Sequence, residues 1–174
     1  MMRENFQWRR LLAVFCGGFL GTLARYGLSL TIQSMLGKGW PFDILFINVT
    51  GAFLLAFITT LADAALLIGP HRRLFFNVGF LGAYTTFSSL ALGDVTLFSN
   101  QRTLLALLYI LCSLLGGLLA VLLGQYSGMV LIAGVKQKTM QGALSLERSI
   151  REEEAELFDS QASLSELEEE ERSY

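Results

Sequence analysis

Leu74-Phe-Phe-Asn-Val-Gly-Phe-Leu-Gly-Ala-Tyr-Thr-Thr-Phe-Ser-Ser-Leu-Ala-Leu-Gly-Asp-Val-Thr-Leu-Phe98 is long enough to cross a bilayer as a helix, which takes roughly 20 apolar residues. Its middle, however, holds Gly79 and Gly82 and then four hydroxyl residues within the five positions Thr85 to Ser89. An ordinary lipid-facing helix has no use for that density of polar groups. Two readings follow. The helix unwinds there and exposes carbonyls, which lipid tolerates only where they line a cavity or coordinate an ion. Alternatively the helix stays intact, with the Ser and Thr hydroxyls bonding back to carbonyls one turn earlier. The segment alone leaves both open.

Three further apolar stretches flank this one. The first runs from about residue 11 to 32, the second from 42 to 68, and the fourth from 104 to about 123, with a possible continuation through Met129-Val-Leu-Ile. Gly37-Lys-Gly-Trp-Pro41, Gly69-Pro-His-Arg-Arg73 and Ser99-Asn-Gln-Arg102 punctuate them with turn-forming residues. Because backbone polar groups must be satisfied inside lipid, the expectation is four helices packed on one another. Gly17 and Gly21 form a GxxxG, while Gly51 and the Gly116-Gly117 pair place small residues on other spans. Such positions let helix backbones approach closely. The basic start followed by Leu11-Leu-Ala-Val-Phe superficially resembles a signal peptide, but the apolar run is too long and lacks a clear small-residue cleavage site. A retained first span is expected.

Composition agrees. The chain of 174 residues is 53% hydrophobic and 16% charged, well toward the apolar end for a soluble domain. Its net charge of −2 conceals a division. Residues 1–146 carry ten basic against four acidic side chains, about +6, and residues 147–174 carry three against eleven, about −8. The expected organisation is a basic N-terminal segment (1–10), a four-span domain (11–133) and an acidic C-terminal tail (134–174). Within that tail Leu146, Ile150, Leu157 and Leu164 recur at helical or heptad-like spacing. A solvated, partly disordered tail is the preferred reading of so glutamate-rich a sequence. Cys16 and Cys112 make no CxxC pair, and with His71 the sole histidine no His/Cys metal cluster can form.

Polar residues inside spans are functional candidates by default. They are Arg25 in the first span, Asn48 in the second, Thr85, Thr86, Ser88 and Ser89 in the third, and Tyr109 with Ser113 in the fourth. Tyr109 and Ser113, four apart, share a helix face. Asn and hydroxyl side chains donate hydrogen bonds without carrying charge, and Phe87 offers the positive edge of its ring. Together they describe a narrow path of neutral donors suited to a small anion that must shed water. No span centre carries Asp or Glu, and Asp63 and Asp94 fall toward span ends, where capping or interfacial exposure is expected. No nucleophile–base pair or phosphate-cradling loop is present, which argues against an enzyme.

Gly17-Gly-Phe-Leu-Gly-Thr-Leu-Ala-Arg-Tyr26, Ile47-Asn-Val-Thr-Gly51 with Phe53-Leu-Leu55, and Gly79-Phe-Leu-Gly-Ala-Tyr-Thr-Thr-Phe-Ser-Ser89 resemble the signature segments of the CrcB/Fluc fluoride channels. Tyr109-xxx-Ser113-xxx-Gly117 resembles their fourth helix, so the likeness covers roughly residues 10–125 in order. The resemblance implies an all-α membrane four-helix bundle whose third helix breaks at mid-membrane, assembled as an antiparallel dimer with two pores. Fluoride would leave the cell through the plasma (inner) membrane passively, down its electrochemical gradient. By the same likeness, backbone carbonyls of Gly82 and Thr85 from two subunits would hold a structural sodium ion. Asn48, Phe87, Ser88, Ser89, Tyr109 and Ser113 would line the fluoride path, and Arg25 would act structurally or as an electrostatic attractor. Three features depart from the family pattern: Leu90 stands where a second phenylalanine is usual, Asp43-Ile44 replaces a Gly-Thr pair, and the acidic tail has no counterpart.

With four spans, the termini and the middle loop share one side. Arg3, Arg9, Arg10, Arg72, Arg73, Lys136 and Lys138 lie there, against Lys38 and Arg102 on the other. The positive-inside rule places that side in the cytoplasm. An antiparallel homodimer needs both orientations, so the chain either inserts both ways despite its bias or pairs with a related subunit of opposite bias. The competing readings are a small four-span multidrug-type transporter, which should carry a mid-membrane carboxylate, and a membrane scaffold, which would not need Asn48 or the hydroxyl-rich segment.

Overall fold

The structure, a computed structural model, describes the backbone of residues 2–64 and 70–172 and the side chains of residues 7–64 and 72–152. The expected end of the second span at Ile68 lies outside the described residues, as do the side chains of Arg3, His71, Leu157 and Leu164. The described chain is helical: α1 (Met2–Leu36), α2 (Phe42–Asp63), α3 (Pro70–Arg73), a π-helical stretch (Leu74–Leu81), α4 (Gly82–Tyr84), α5 (Phe87–Ser99) and α6 (Thr103–Arg172). Four stretches are long and apolar enough to cross a membrane: Gln7–Leu36, Phe42–Asp63, Leu74–Ser99 and Thr103–Glu152. The third has the lowest mean hydropathy of the four, 1.2 against 2.6 for the last, so the polar groups concentrate there.

The ends of the helices follow local chemistry. Gly37, at φ +77°, stops α1 in the left-handed conformation that only glycine takes cheaply, and its N–H closes on the Gln33 carbonyl at 3.0 Å. Asp43 sits in the first turn of α2, where a carboxylate offsets the helix dipole. Asp63, near the end of α2, is exposed and pairs with Arg73 at 2.8 Å. Asp94 caps neither end of α5: it lies within that helix, and its Oδ1 is buried without a hydrogen-bond partner among the described residues.

Two chain units form, Met1–Ile132 and Ala133–Tyr174. In the second, the acidic segment is helical as far as Arg172, which differs from the partial disorder expected of it, and its side chains from Lys136 to Glu152 are exposed, with an i,i+4 pair between Arg151 and Glu147 at 3.4 Å. In the first, small residues bring backbones together. A Cβ on Gly17 would meet the Phe75 carbonyl and come within 2.9 Å of the Phe80 amide nitrogen. One on Gly21 would run into the Phe80 carbonyl, and one on Gly79 would sit 2.7 Å from the Val14 carbonyl. The Gly17-xxx-Gly21 motif therefore seats α1 directly on the π-helical stretch, as small residues do where lipid removes the hydrophobic drive for association. Two buried clusters complete the packing, Ile47–Leu81–Tyr84 and Leu97–Ala106–Tyr109. Large apolar side chains such as Leu114, Leu118 and Leu122 face outward along α6, an exterior that water would not tolerate and hydrocarbon does.

Candidate functional site

The site grows from two residues, Thr85 and Thr86, that separate α4 from α5 with extended backbone (φ −75°, ψ 152° and φ −150°, ψ 117°). Extended residues inside a spanning segment leave polar groups that need partners. Asn48 of α2 supplies them: its Nδ2 donates to the Thr86 carbonyl at 3.0 Å, and the Thr86 N–H donates to its Oδ1 at 2.8 Å. That N–H is the one a continuous helix would give to the Gly82 carbonyl. Asn48 thus diverts it, and keeps one N–H of its own amide free. The hydroxyl of Thr86 caps α5 by accepting from the Ser89 N–H at 3.2 Å, the role for which Ser and Thr are favoured at helix starts. It also lies 3.1 Å from the Ser89 hydroxyl and 3.2 Å from that of Ser88. Thr85 behaves differently: its hydroxyl bonds back to the Leu81 carbonyl at 3.0 Å. Thr85 thus makes the back-bond expected of a hydroxyl in a helix, while Thr86 next to it serves as a cap.

Gly51 makes room for this arrangement, since a Cβ there would collide with the Thr85 methyl and come within 3.2 Å of the Tyr84 ring. Thr50 meets the Tyr84 hydroxyl at 3.0 Å. Ser88 is exposed, and Phe87 is 82% exposed, so its ring projects from this chain rather than into it.

Tyr109 is fully buried, its ring edge-on to Trp40 at 5.3 Å, and its hydroxyl has no hydrogen-bond partner among the described residues. The Ser113 hydroxyl and Arg25 Nε are likewise buried and unpaired. Unpaired buried polar groups are uncommon enough that each needs an occupant or an explanation. Arg25, Tyr109 and Ser113 all present hydrogens, so the natural occupant is an acceptor. Two acceptors are unpaired as well, Asp94 Oδ1 and Asn77 Oδ1, the latter residue donating to Thr59 at 2.8 Å.

Two cavities lie between α1, α2 and α5. The larger, about 720 Å³, holds Ser29, Gln33, Asp43, Ser89, Lys38 and Arg102 among its lining residues. The smaller, about 300 Å³, holds Thr22, Arg25 and Tyr26. Ser29, Ile44 and Ser89 line both, so the two meet around them. Of the residues selected from sequence, Ser89 and Arg25 fall on this track; Asn48 braces the backbone beside it, and Phe87 and Ser88 face outward. Sequence reading missed Ser29 and Gln33 and saw Asp43 only as a lost hydroxyl. The signal was present, because Arg25, Ser29 and Gln33 at i, i+4, i+8 put three polar residues on one face of an apolar helix.

Four helices long and apolar enough to span a bilayer define a multi-pass membrane protein. The family model described as "CrcB-like protein, Camphor Resistance (CrcB)" matches residues 12–125. The protein named fluoride-specific ion channel FluC of a Thermus thermophilus strain is 43% identical over 123 residues, covering 71% of this chain and 96% of that protein. The like-named protein of Chlorobium chlorochromatii is 41% identical over 114 residues, 66% of this chain and 88% of that one. FluC 2 of Geobacillus kaustophilus is 42% identical over 109 residues, 63% and 84% of the two chains. The chain belongs to the CrcB family.

Proposed function

We propose that this protein is a subunit of a passive, fluoride-selective channel of the plasma (inner) membrane that lets toxic cytoplasmic fluoride out. One observation carries the reading: Arg25, Tyr109 and Ser113 hold buried hydrogen-bond donors with no partner among the described residues. Fluoride binds its water tightly, so a conduit must offer replacement donors at close range. Neutral hydroxyls and amides do so without trapping the ion, since conduction requires binding weak enough to release. The names of the relatives agree with this choice of ion.

The finer parts of the reading have narrower support. A structural sodium ion would be held by the Gly82 and Thr85 carbonyls. The Gly82 carbonyl loses its helical donor to Asn48, and carbonyl oxygens are the ligands a hard cation takes. Bound there, the ion would add positive charge in a medium of low dielectric and favour an anion nearby. One chain offers two such oxygens, which fits a second copy facing the first in the antiparallel dimer. The outward-facing Phe87 and Ser88 would then belong to a path at the contact between subunits, together with Asn48, Ser89, Tyr109 and Ser113.

The test is efflux from liposomes loaded with fluoride or with chloride, each containing the full chain. Fluoride release with chloride retained is expected. Equal or absent release of the two ions rejects the reading. Replacing sodium by N-methyl-D-glucamine throughout is expected to abolish fluoride release, and undiminished release in its absence would remove the ion from the account.

A further inference from the structure

Among the described residues one charged side chain is buried, Asp43, at 4% exposure. A buried carboxylate is costly unless hydrogen-bonded, and α1 provides the bonds. Ser29 Oγ and Gln33 Nε2 both donate to its Oδ2, the latter at 2.7 Å, and Gln33 also donates to Ser29 at 3.1 Å. Its other oxygen is used by none of these contacts. The residue lines the larger cavity, beside Ser29 and Ile44, which continue into the smaller cavity that holds Arg25. Lys38 and Arg102, the basic residues of the two loops at this end, line the same cavity and are exposed, so they stand outside Asp43. Arg102 is fixed there by donating to the Gly39 carbonyl at 3.1 Å.

An anion entering from this end therefore meets two positive charges first and a fixed negative charge deeper in, before it reaches Ser89 and Arg25. Low-dielectric walls focus such fields, and clefts lined by one sign of charge change entry rates by large factors. We propose that Asp43 is a rate-determining residue for fluoride entry: its carboxylate, in the larger cavity and bonded to Ser29 where the two cavities meet, raises the barrier to passage there, and Lys38 and Arg102 work against it. The inference rests on the channel reading above and adds to it a determinant absent from the family's signature segments.

The experiment measures fluoride flux in liposomes at low ionic strength for the wild-type chain, Asp43→Asn and Lys38→Glu. Asparagine keeps the size and an acceptor for Ser29 or Gln33 but removes the charge. Flux in Asp43→Asn is expected to rise at least about threefold, and Lys38→Glu, which changes only an exposed loop residue, is expected to lower it by a similar factor. A purely structural role for Asp43, tying α1 to α2, predicts the opposite sign for Asp43→Asn. Flux unchanged or reduced in an Asp43→Asn protein that assembles and melts as wild type overturns the inference. Should that variant not assemble, Lys38→Glu decides, and wild-type flux in it overturns the inference. Absence of fluoride flux in the wild-type chain instead refutes the channel reading itself, so the two failures are told apart.

Discussion

Asn48, a candidate hydrogen-bond donor to a passing ion, has a heavier task in the structure. Replacing it with leucine keeps the bulk and removes both bonds to Thr86, at 3.0 and 2.8 Å. Each bond contributes about 0.5–1.5 kcal/mol net, and leaving a buried partner unpaired costs about 1–3 kcal/mol. Thr86 is half-buried, so roughly 2–4 kcal/mol is expected for the pair after discounting for partial solvation. The loss is local, because Thr86 keeps its cap on Ser89. The assay is amide hydrogen exchange of the Thr86 segment in the purified protein, since exchange reports local opening. A local loss of about 2 kcal/mol corresponds to exchange about 30-fold faster. Asn48→Asp is the control: it keeps the acceptor for the Thr86 N–H while turning an oxygen toward the Thr86 carbonyl, so its amide should stay nearer to wild type. Fluoride flux should be lost in Asn48→Leu with assembly preserved. Wild-type exchange at Thr86 in the leucine variant would refute the reasoning, because the extended residues would then be held by something other than Asn48.

Tyr109→Phe and Ser113→Ala each delete a buried, unpaired hydroxyl, so thermal stability should hold or rise slightly, while fluoride flux falls at least about tenfold if those hydroxyls replace water around the ion. Unchanged flux would mean that they are packing groups. Gly21→Val drives a side chain into the Phe80 carbonyl and should cost at least about 1–3 kcal/mol through forced separation of α1 from the π-helical stretch, seen as a lower melting temperature and a smaller monodisperse fraction; wild-type melting would contradict the close approach. Lys38→Cys, labelled by an impermeant maleimide from each side of the membrane, should react from both sides if the chain pairs with itself in opposite orientations. Reaction from one side alone would exclude that homodimer and leave a partner of opposite bias.

What could be read directly was governed by chain-local physics. Four apolar runs, their glycine- and proline-marked breaks, the GxxxG on α1 and the four-residue spacing of Tyr109 and Ser113 follow from the thickness of a bilayer and the period of a helix, and a single strand of sequence records both. The hydroxyl cluster announced that residues 85–89 were unusual. It could not say which hydroxyl would bond back, which would cap α5 and which would face outward, because Thr85, Thr86 and Ser88 carry the same chemistry and differ only in the direction the backbone gives them. Asn48 and Thr86 are 38 residues apart, so their pairing exists only once α2 lies beside the third span. Asp43 shows the limit most clearly. In the sequence it is one acidic residue shortly after a proline, visible only as a departure from a motif; burial against Ser29 and Gln33, opposite Lys38 and Arg102, makes it a charge with consequences. Local pattern determined that there would be helices long and apolar enough to cross a membrane, with polar groups among them, and only the packing of those helices decided which polar groups found partners and which, among the described residues, were left without one.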